Sequence, residues 1–288
     1  MKKLSFLLTF LVLAVSACRV DGQQRFSLEE RETIRRTLEF SQGNAAKVLE
    51  VDNLQGEIRV TGYDGRNVEM VVNKTIRAHS QEDMKAAKDR VRLDISDKVD
   101  AISIYVDHPG RQRSNRSSTR SNWSYPGYEV SFDFELRVPR QTELHLWTVT
   151  DGGIRVEGVV GDFDVSNVTG GIELSGIAGS GRAQTVNGSI DVRFAANPAR
   201  SSSFKTVNGT IEVRFQRNLS ADLRFKSFNG GVYTDFPVSA LPTPVNAAQT
   251  RNGRFVYRNE FEGARIGNGG PMLEFDGFNG DVRILQAK

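Results

Sequence analysis

The stretch Thr185-Val186-Asn187-Gly188-Ser189-Ile190-Asp191-Val192 returns 21 residues later as Thr206-Val207-Asn208-Gly209-Thr210-Ile211-Glu212-Val213. The shared unit is an apolar residue, a polar one, Gly, any residue, Ile or Val, any residue, then usually another apolar one. Earlier copies are Thr150-Asp151-Gly152-Gly153-Ile154-Arg155-Val156 and Val168-Thr169-Gly170-Gly171-Ile172-Glu173-Leu174. Later ones are Phe228-Asn229-Gly230-Gly231-Val232 and Phe278-Asn279-Gly280-Asp281-Val282-Arg283-Ile284, and an outlying copy stands at Leu54-Gln55-Gly56-Glu57-Ile58-Arg59-Val60. Gly152, Gly170, Gly188, Gly209 and Gly230 are 18, 18, 21 and 21 residues apart. Gly158 and Gly161 recur as Gly176 and Gly179, and Phe194 recurs as Phe215 and Phe236.

A fixed period of about 20 residues marks a stacked-repeat architecture. Alternation of apolar and polar residues on both sides of each glycine reads as strand, turn, strand. The repeat glycines are Gly56, Gly152, Gly170, Gly188, Gly209, Gly230 and Gly280. They are expected to supply a positive φ that a Cβ would penalise. Trp147, Val165, Ala183, Phe204, Phe225 and Phe275 form one apolar column before the turns; Ile154, Ile172, Ile190, Ile211, Val232 and Val282 form another after them. One unit cannot bury its own apolar face, so neighbours must stack. The expected fold is all-β: a parallel β-solenoid of 18–21-residue strand-turn-strand rungs. Asn-Gly between alternating runs also signals hairpins, so an antiparallel meander is the competing arrangement.

Outward positions carry charge. Glu173, Asp191 and Glu212 fall in one column, with Arg193 and Arg214 two residues on. Acids about 4.8 Å apart repel unless arginines compensate. The column reads either as a cation or glycan groove or as a compensated, solvated face.

The chain begins Met1-Lys2-Lys3, then runs apolar from Leu4 to Val15 except for Ser5 and Thr9. That run is too short to span a bilayer, which takes about 20 apolar residues. With small residues at its end it reads as a signal peptide over residues 1–17. Val15-Ser16-Ala17-Cys18 resembles the lipobox of bacterial lipoproteins, which implies acylation of Cys18, the single cysteine of the chain. Arg19, where Asp would retain a Gram-negative lipoprotein in the inner membrane, resembles an outer-membrane sorting pattern. The expected location is the cell envelope, lipid-anchored, on the outer membrane facing the periplasm or the surface if the host is Gram-negative.

Residues 18–32 read as the lipidated cysteine and a tether. Residues 33–140 read as a β-rich part, continuous with the repeat at 141–288. It holds one short helix near 80–91, where Ser80 caps and Met84, Ala87, Lys88 and Val91 sit at helical spacing. Residues 107–127 form a polar, basic insertion with Arg111, Arg113, Arg116, Arg120 and Trp123. It reads as a solvated loop, or as a patch for anionic lipid, lipopolysaccharide or nucleic acid. The repeat lapses between Pro237 and Gly270. A net charge of +3 is too small to imply nucleic acid as a partner, and 27 Gly against 8 Pro suits a turn-rich β protein.

No catalytic constellation stands out. His79, His108 and His145 lack metal-ligand spacing, and no nucleophile elbow or phosphate loop is present. No metal and no cofactor is expected. Asp162 and Asp164 lie on one face of a strand and would suit Ca²⁺ or acid–base work, but such pairs are common on exposed strands.

Tyr128 to Ile177 contains Leu136-Arg137-Val138-Pro139 and the Asp-Gly-Gly-Ile and Thr-Gly-Gly-Ile units. With the later Thr-Val-Asn-Gly units and the early Leu49-Glu50-Val51-Asp52-Asn53-Leu54-Gln55-Gly56-Glu57-Ile58, it resembles the bacterial putative-adhesin domain family of the toastrack type. The likeness spans residues 33–288; the insertion at 107–127 and the lapse at 237–270 depart from it. The resemblance implies a β-solenoid envelope domain, often near envelope-stress systems, without catalytic residues to carry over. The leading expectation is a non-enzymatic envelope lipoprotein presenting a rigid β surface to an envelope protein or glycan. Its alternatives are an accessory of envelope-stress signalling and a polysaccharide-active enzyme, which needs Asp162, Asp164, Glu173 and Asp191 to converge with a basic residue in one groove.

Overall fold

The computed structural model describes residues 26–40, 47–97, 101–109, 127–241, 250–251, 254–255 and 262–287. In chain order these form β1 (Leu28–Glu39), β2 (Lys47–Asp52), β3 (Ile58–Tyr63), β4 (Asn67–Ala78), α1 (Gln81–Arg90), β5 (Arg92–Asp97), β6 (Ala101–Asp107), β7 (Tyr128–Pro139), β8 (Thr142–Trp147) and β9 (Ile154–Glu157). Then follow β10 (Phe163–Ser166), β11 (Ile172–Ala178), β12 (Gly181–Asn187), β13 (Ile190–Ala196), β14 (Ser202–Asn208), β15 (Ile211–Phe215), β16 (Ala221–Asn229), β17 (Val232–Thr234) and β18 (Val238–Ala240). β19 (Thr250–Arg251), β20 (Arg254–Phe255), β21 (Glu262–Ile266), β22 (Met272–Asn279) and β23 (Val282–Gln286) complete the chain.

Among the described residues the protein is mostly β, with one helix, two largely parallel sheets and a separate antiparallel pair, β19–β20. The first sheet runs β1-β4-β7-β3-β9-β11-β13-β15-β23-β17; the second runs β18-β21-β16-β22-β14-β12-β10-β8-β2-β6-β5. Each repeat unit gives one strand to the second sheet, turns at its glycine, and gives the next strand to the first sheet. β12 and β13, for example, flank Gly188 but pair with different neighbours, β12 with β10 and β14 and β13 with β11 and β15, all parallel. The Asn-Gly turns of the repeat therefore close no hairpin.

The inward rows meet between the sheets in one core. In the first sheet Ile58, Ile154, Ile172, Ile190, Ile211, Val282 and Val232 lie in register. In the second, Val51, Leu146, Val165, Ala183, Phe204, Phe275 and Phe225 do so. Phe204 stacks on Phe275 at 5.3 Å and Phe194 on Phe215 at 5.1 Å between ring centroids. Each fully buried side chain of this kind stabilises the fold by about 1.5–3 kcal/mol.

Three features depart from the sequence expectation. Trp147 does not belong to the inward column; Leu146 pairs with Val165 and Trp147 faces outward. The reason is one extra residue: Leu146 precedes Gly152 by six positions, whereas Val165 precedes Gly170 by five. Asp151, at φ 55°, absorbs the extra residue in the turn. Second, the rungs do not stack in chain order. The last unit, β22–β23, lies between β14–β15 and β16–β17. Third, β1 begins at Leu28, ahead of Thr33, so the last residues assigned to the tether pair with β4 from Leu28↔Ala78 onward.

The N-terminal end of the stack is irregular. β6 and β7 pair with β2 and β3 like a rung, but residues 108–127 join them in place of a glycine turn. α1 starts at Ser80, whose hydroxyl accepts from the Asp83 N–H at 3.1 Å; its Met84 and Ala87 are buried. Lys88 instead reaches Glu30 of β1 at 2.6 Å. β18 and β21 pair antiparallel at the other end, through the stretch where the repeat lapses.

Candidate functional site

Three surfaces of the stack carry chemistry: the glycine-turn edge and the outer faces of the two sheets. At the turn edge the seven repeat glycines are built by contact. A Cβ on Gly152 would overlap the Gly56 carbonyl oxygen. One on Gly170 would overlap that of Gly152, and the pattern continues through Gly188 on Gly170, Gly209 on Gly188, Gly280 on Gly209 and Gly230 on Gly280. Gly56 meets the Phe132 carbonyl in the same way. Positive φ accounts for Gly56, Gly170, Gly209 and Gly280 only; close approach accounts for all seven.

The carbonyls so exposed to the core are capped by buried polar side chains. Thr148 donates to the Gly56 carbonyl at 3.0 Å, Asn167 to Gly152 at 2.9 Å, Thr185 to Gly170 at 2.9 Å and Thr206 to Gly188 at 2.8 Å. The signal for them was a polar residue recurring at an inward position, three residues before most glycines.

Because that inward position is polar, the next residue points out. Val168, Val186, Val207, Phe278 and Phe228 thus form a column along the edge on five adjacent rungs. Val168 and Val186 are 41% and 39% exposed, Phe278 and Phe228 45% and 57%. The two Phe rings stack at 4.8 Å with planes 3° apart. Beside them runs an asparagine ladder in which Asn208 donates to Asn187, Asn279 to Asn208 and Asn229 to Asn279, each at 2.7 Å.

The outer face of the second sheet holds an open groove of about 570 Å³. Glu50, His145, Asp164, Arg182, Ser203 and Glu274 lie in one row across it. Arg182 grips Asp164 with two hydrogen bonds, 2.7 and 3.2 Å, and these hold its guanidinium pKa above the usual value. Asp162 accepts from the Ser180 N–H at 3.1 Å and from Arg200. His145 lies 3.0 Å from Glu143 and edge-on to Trp147, with ring centroids 5.9 Å apart. In the next row Asp52 pairs with Tyr105 on one side and Trp147 on the other. Two partly buried aromatic residues thus flank a carboxylate in a register row outside the groove lining.

The outer face of the first sheet is a run of ion pairs. The column Glu173, Asp191, Glu212 is bounded by Arg155 and Arg283. Arg155 reaches Glu173 at 3.4 Å, Arg193 reaches Asp191 at 3.4 Å, Arg214 reaches Asp191 at 3.7 Å and also pairs with Glu212, and Arg283 reaches Glu212 at 3.8 Å. The structure therefore splits the four candidate carboxylates. Asp162 and Asp164 share the groove with Arg182 and Arg200, while Glu173 and Asp191 face away on the opposite sheet. Among the described residues no group of His, Cys, Asp and Glu could hold a metal ion. Cys18, Arg111, Arg113, Arg116, Arg120 and Trp123 lie outside the described residues.

No family model matches the chain, and no curated protein does. Among solved structures, it is similar to a "putative cell adhesion protein" from Clostridium sporogenes, at 10% identity and a TM-score of 0.39, covering 89% of this chain and 100% of that one. It is similar to a "putative adhesin" from Bacteroides fragilis at 10% identity and a TM-score of 0.39, over 89% of this chain and 97% of that one. A "putative lipid binding protein" from Parabacteroides distasonis is similar at 12% identity and a TM-score of 0.28, over 90% of this chain and 97% of that one.

Proposed function

We propose that the protein is a non-enzymatic lipoprotein of the bacterial envelope. It is anchored through acylated Cys18, sits on the outer membrane where the host is Gram-negative, and presents a β-solenoid surface to an envelope protein or glycan. The observation that carries the binding role is the groove on the second sheet. Its carboxylates and guanidiniums are held in place by one another, and His145 in its lining lies edge-on to the Trp147 ring. Fixed polar groups next to aromatic surface suit recognition. A carboxylate gripped by arginine on both oxygens, as Asp164 is, is poorly placed to exchange protons or attack a substrate.

The test uses the chain without its signal and Cys18, presented with envelope glycans and envelope-protein extracts on a solid support. Trp147→Ala and Arg182→Ala are each expected to weaken binding to the captured partner about tenfold or more, with the thermal midpoint unchanged. Binding insensitive to both substitutions, or release of cleaved glycan products, overturns the reading.

A further inference from the structure

We propose that the glycine-turn edge is the face that lies on the membrane, with the Phe228–Phe278 pair and the valine column seated among the lipid headgroups. The inference rests on acylation of Cys18.

The place where the chain leaves the fold carries the first part of the argument. Phe132 is level with the glycine row, since its carbonyl abuts Gly56 and its N–H bonds to Gln55. Tyr128, Ala78 and Leu28 lie side by side, four residues beyond Phe132 on the turn side. At about 3.3 Å per residue that is roughly 13 Å past the glycines. Ser27 bonds to Ala78 and His79 there, and Phe26 stacks on His79 at 4.6 Å. The chain toward Cys18 therefore departs from the turn side.

The length of that leash carries the second part. Eight steps separate Cys18 from Phe26, a reach of at most about 30 Å. β7 alone, from Tyr128 at the tether end to Pro139 at the opposite edge, spans about 36 Å. A short leash leaving from the turn side holds that side to the membrane and the opposite edge away from it.

Surface chemistry carries the third. Both sheet faces carry ion pairs, whereas the turn edge carries an apolar column on five adjacent rungs, of which Val168, Val186, Phe278 and Phe228 are exposed. Contiguous exposed apolar surface marks a contact site. On the opposite edge the exposed apolar residues Val160 and Val238 sit on rungs that are not neighbours. Charge points the same way. The segment between Pro109 and Gly127 has four arginines and no acid, and both its ends are on the turn side. Basic segments next to an anchor are drawn to an anionic leaflet.

In this orientation the sheets stand across the membrane plane, and the groove on the second sheet opens sideways.

The test exploits the acylation of the single native cysteine, which leaves any introduced thiol unique. Full-length acylated Phe228→Cys, Val186→Cys and Ala196→Cys are each labelled with bimane. They are then bound to vesicles of phosphatidylethanolamine and phosphatidylglycerol with brominated acyl chains. Labels at 228 and 186 are expected to be quenched, and the label at 196, on the opposite edge, is not. Equal quenching at all three, or none at 228 and 186 while the protein floats with the vesicles, overturns the orientation and leaves the anchor standing. Failure of the mature protein to carry an acyl group on Cys18 removes the anchor itself, and the orientation with it.

Discussion

A chain ending at Gly270 does not hold the two-sheet fold. The missing residues form β22–β23, which is terminal in sequence but interior in both sheets. β22 pairs with β14 on one side and β16 on the other; β23 pairs with β15 and β17. Truncation therefore cuts the stack, leaving β16–β17 with no parallel neighbour. It also removes Leu273, Phe275, Val282 and Ile284, all buried. At about 1.5–3 kcal/mol each, their loss is about 6–12 kcal/mol, comparable to the whole stability of a typical domain, about 5–15 kcal/mol. Circular dichroism melting should show no cooperative transition for the truncated chain. A transition within a few degrees of the full chain would mean that the last unit caps the stack and does not bridge it.

Gly188→Ala is the second large effect. Its Cβ would occupy the space of the Gly170 carbonyl oxygen, which already accepts from Thr185 and cannot turn away without breaking that bond. Relief requires the two rungs to separate, against parallel ladders in both sheets. Overpacking of this kind costs about 3 kcal/mol or more, the upper end of the usual range. Gly171→Ala is the control. Its Cβ would stand 3.3 Å from the Ser189 carbonyl oxygen, a contact a small shift relieves, and the change should be within about 1 kcal/mol. Urea unfolding of both variants separates the cases. Equal midpoints would show that the glycine row serves only local turn geometry.

The inward rows were readable because strand alternation has a period of two and the core accepts only one phase of it. Ile154, Ile172, Ile190 and Ile211 follow that rule without exception. The rung order was not readable, because Val232 and Val282, or Phe225 and Phe275, are interchangeable neighbours for Ile211 and Phe204. The observed order sets Asp276 between Lys205 and Lys226, which chain order would place side by side, and that charge pattern counts only once the strands are paired. The Trp147 register slipped because an extra turn residue shifts phase without changing the local pattern.

The exposed column was hidden for a different reason. Apolar character alone would put Val186 and Val207 in the core, but the alternation that buries Ala183 and Phe204 also buries Thr185 and Thr206 and turns the valines out. Those threonines are inward because the stacked glycine carbonyls need donors, a demand set by packing between rungs. Asp162 and Asp164 were visible as a pair on one strand face. Their partners are Arg182 in β12 of the next rung and Arg200 in the connection that follows β13, so the pairing needed the stack.

Everything proposed about location and orientation depends on one covalent event at Cys18. Growth with labelled palmitate, followed by isolation of the protein, measures it directly. The account predicts label on the mature wild-type chain and none on Cys18→Ser. Label that persists on Cys18→Ser, or a wild-type chain that carries none, would contradict it.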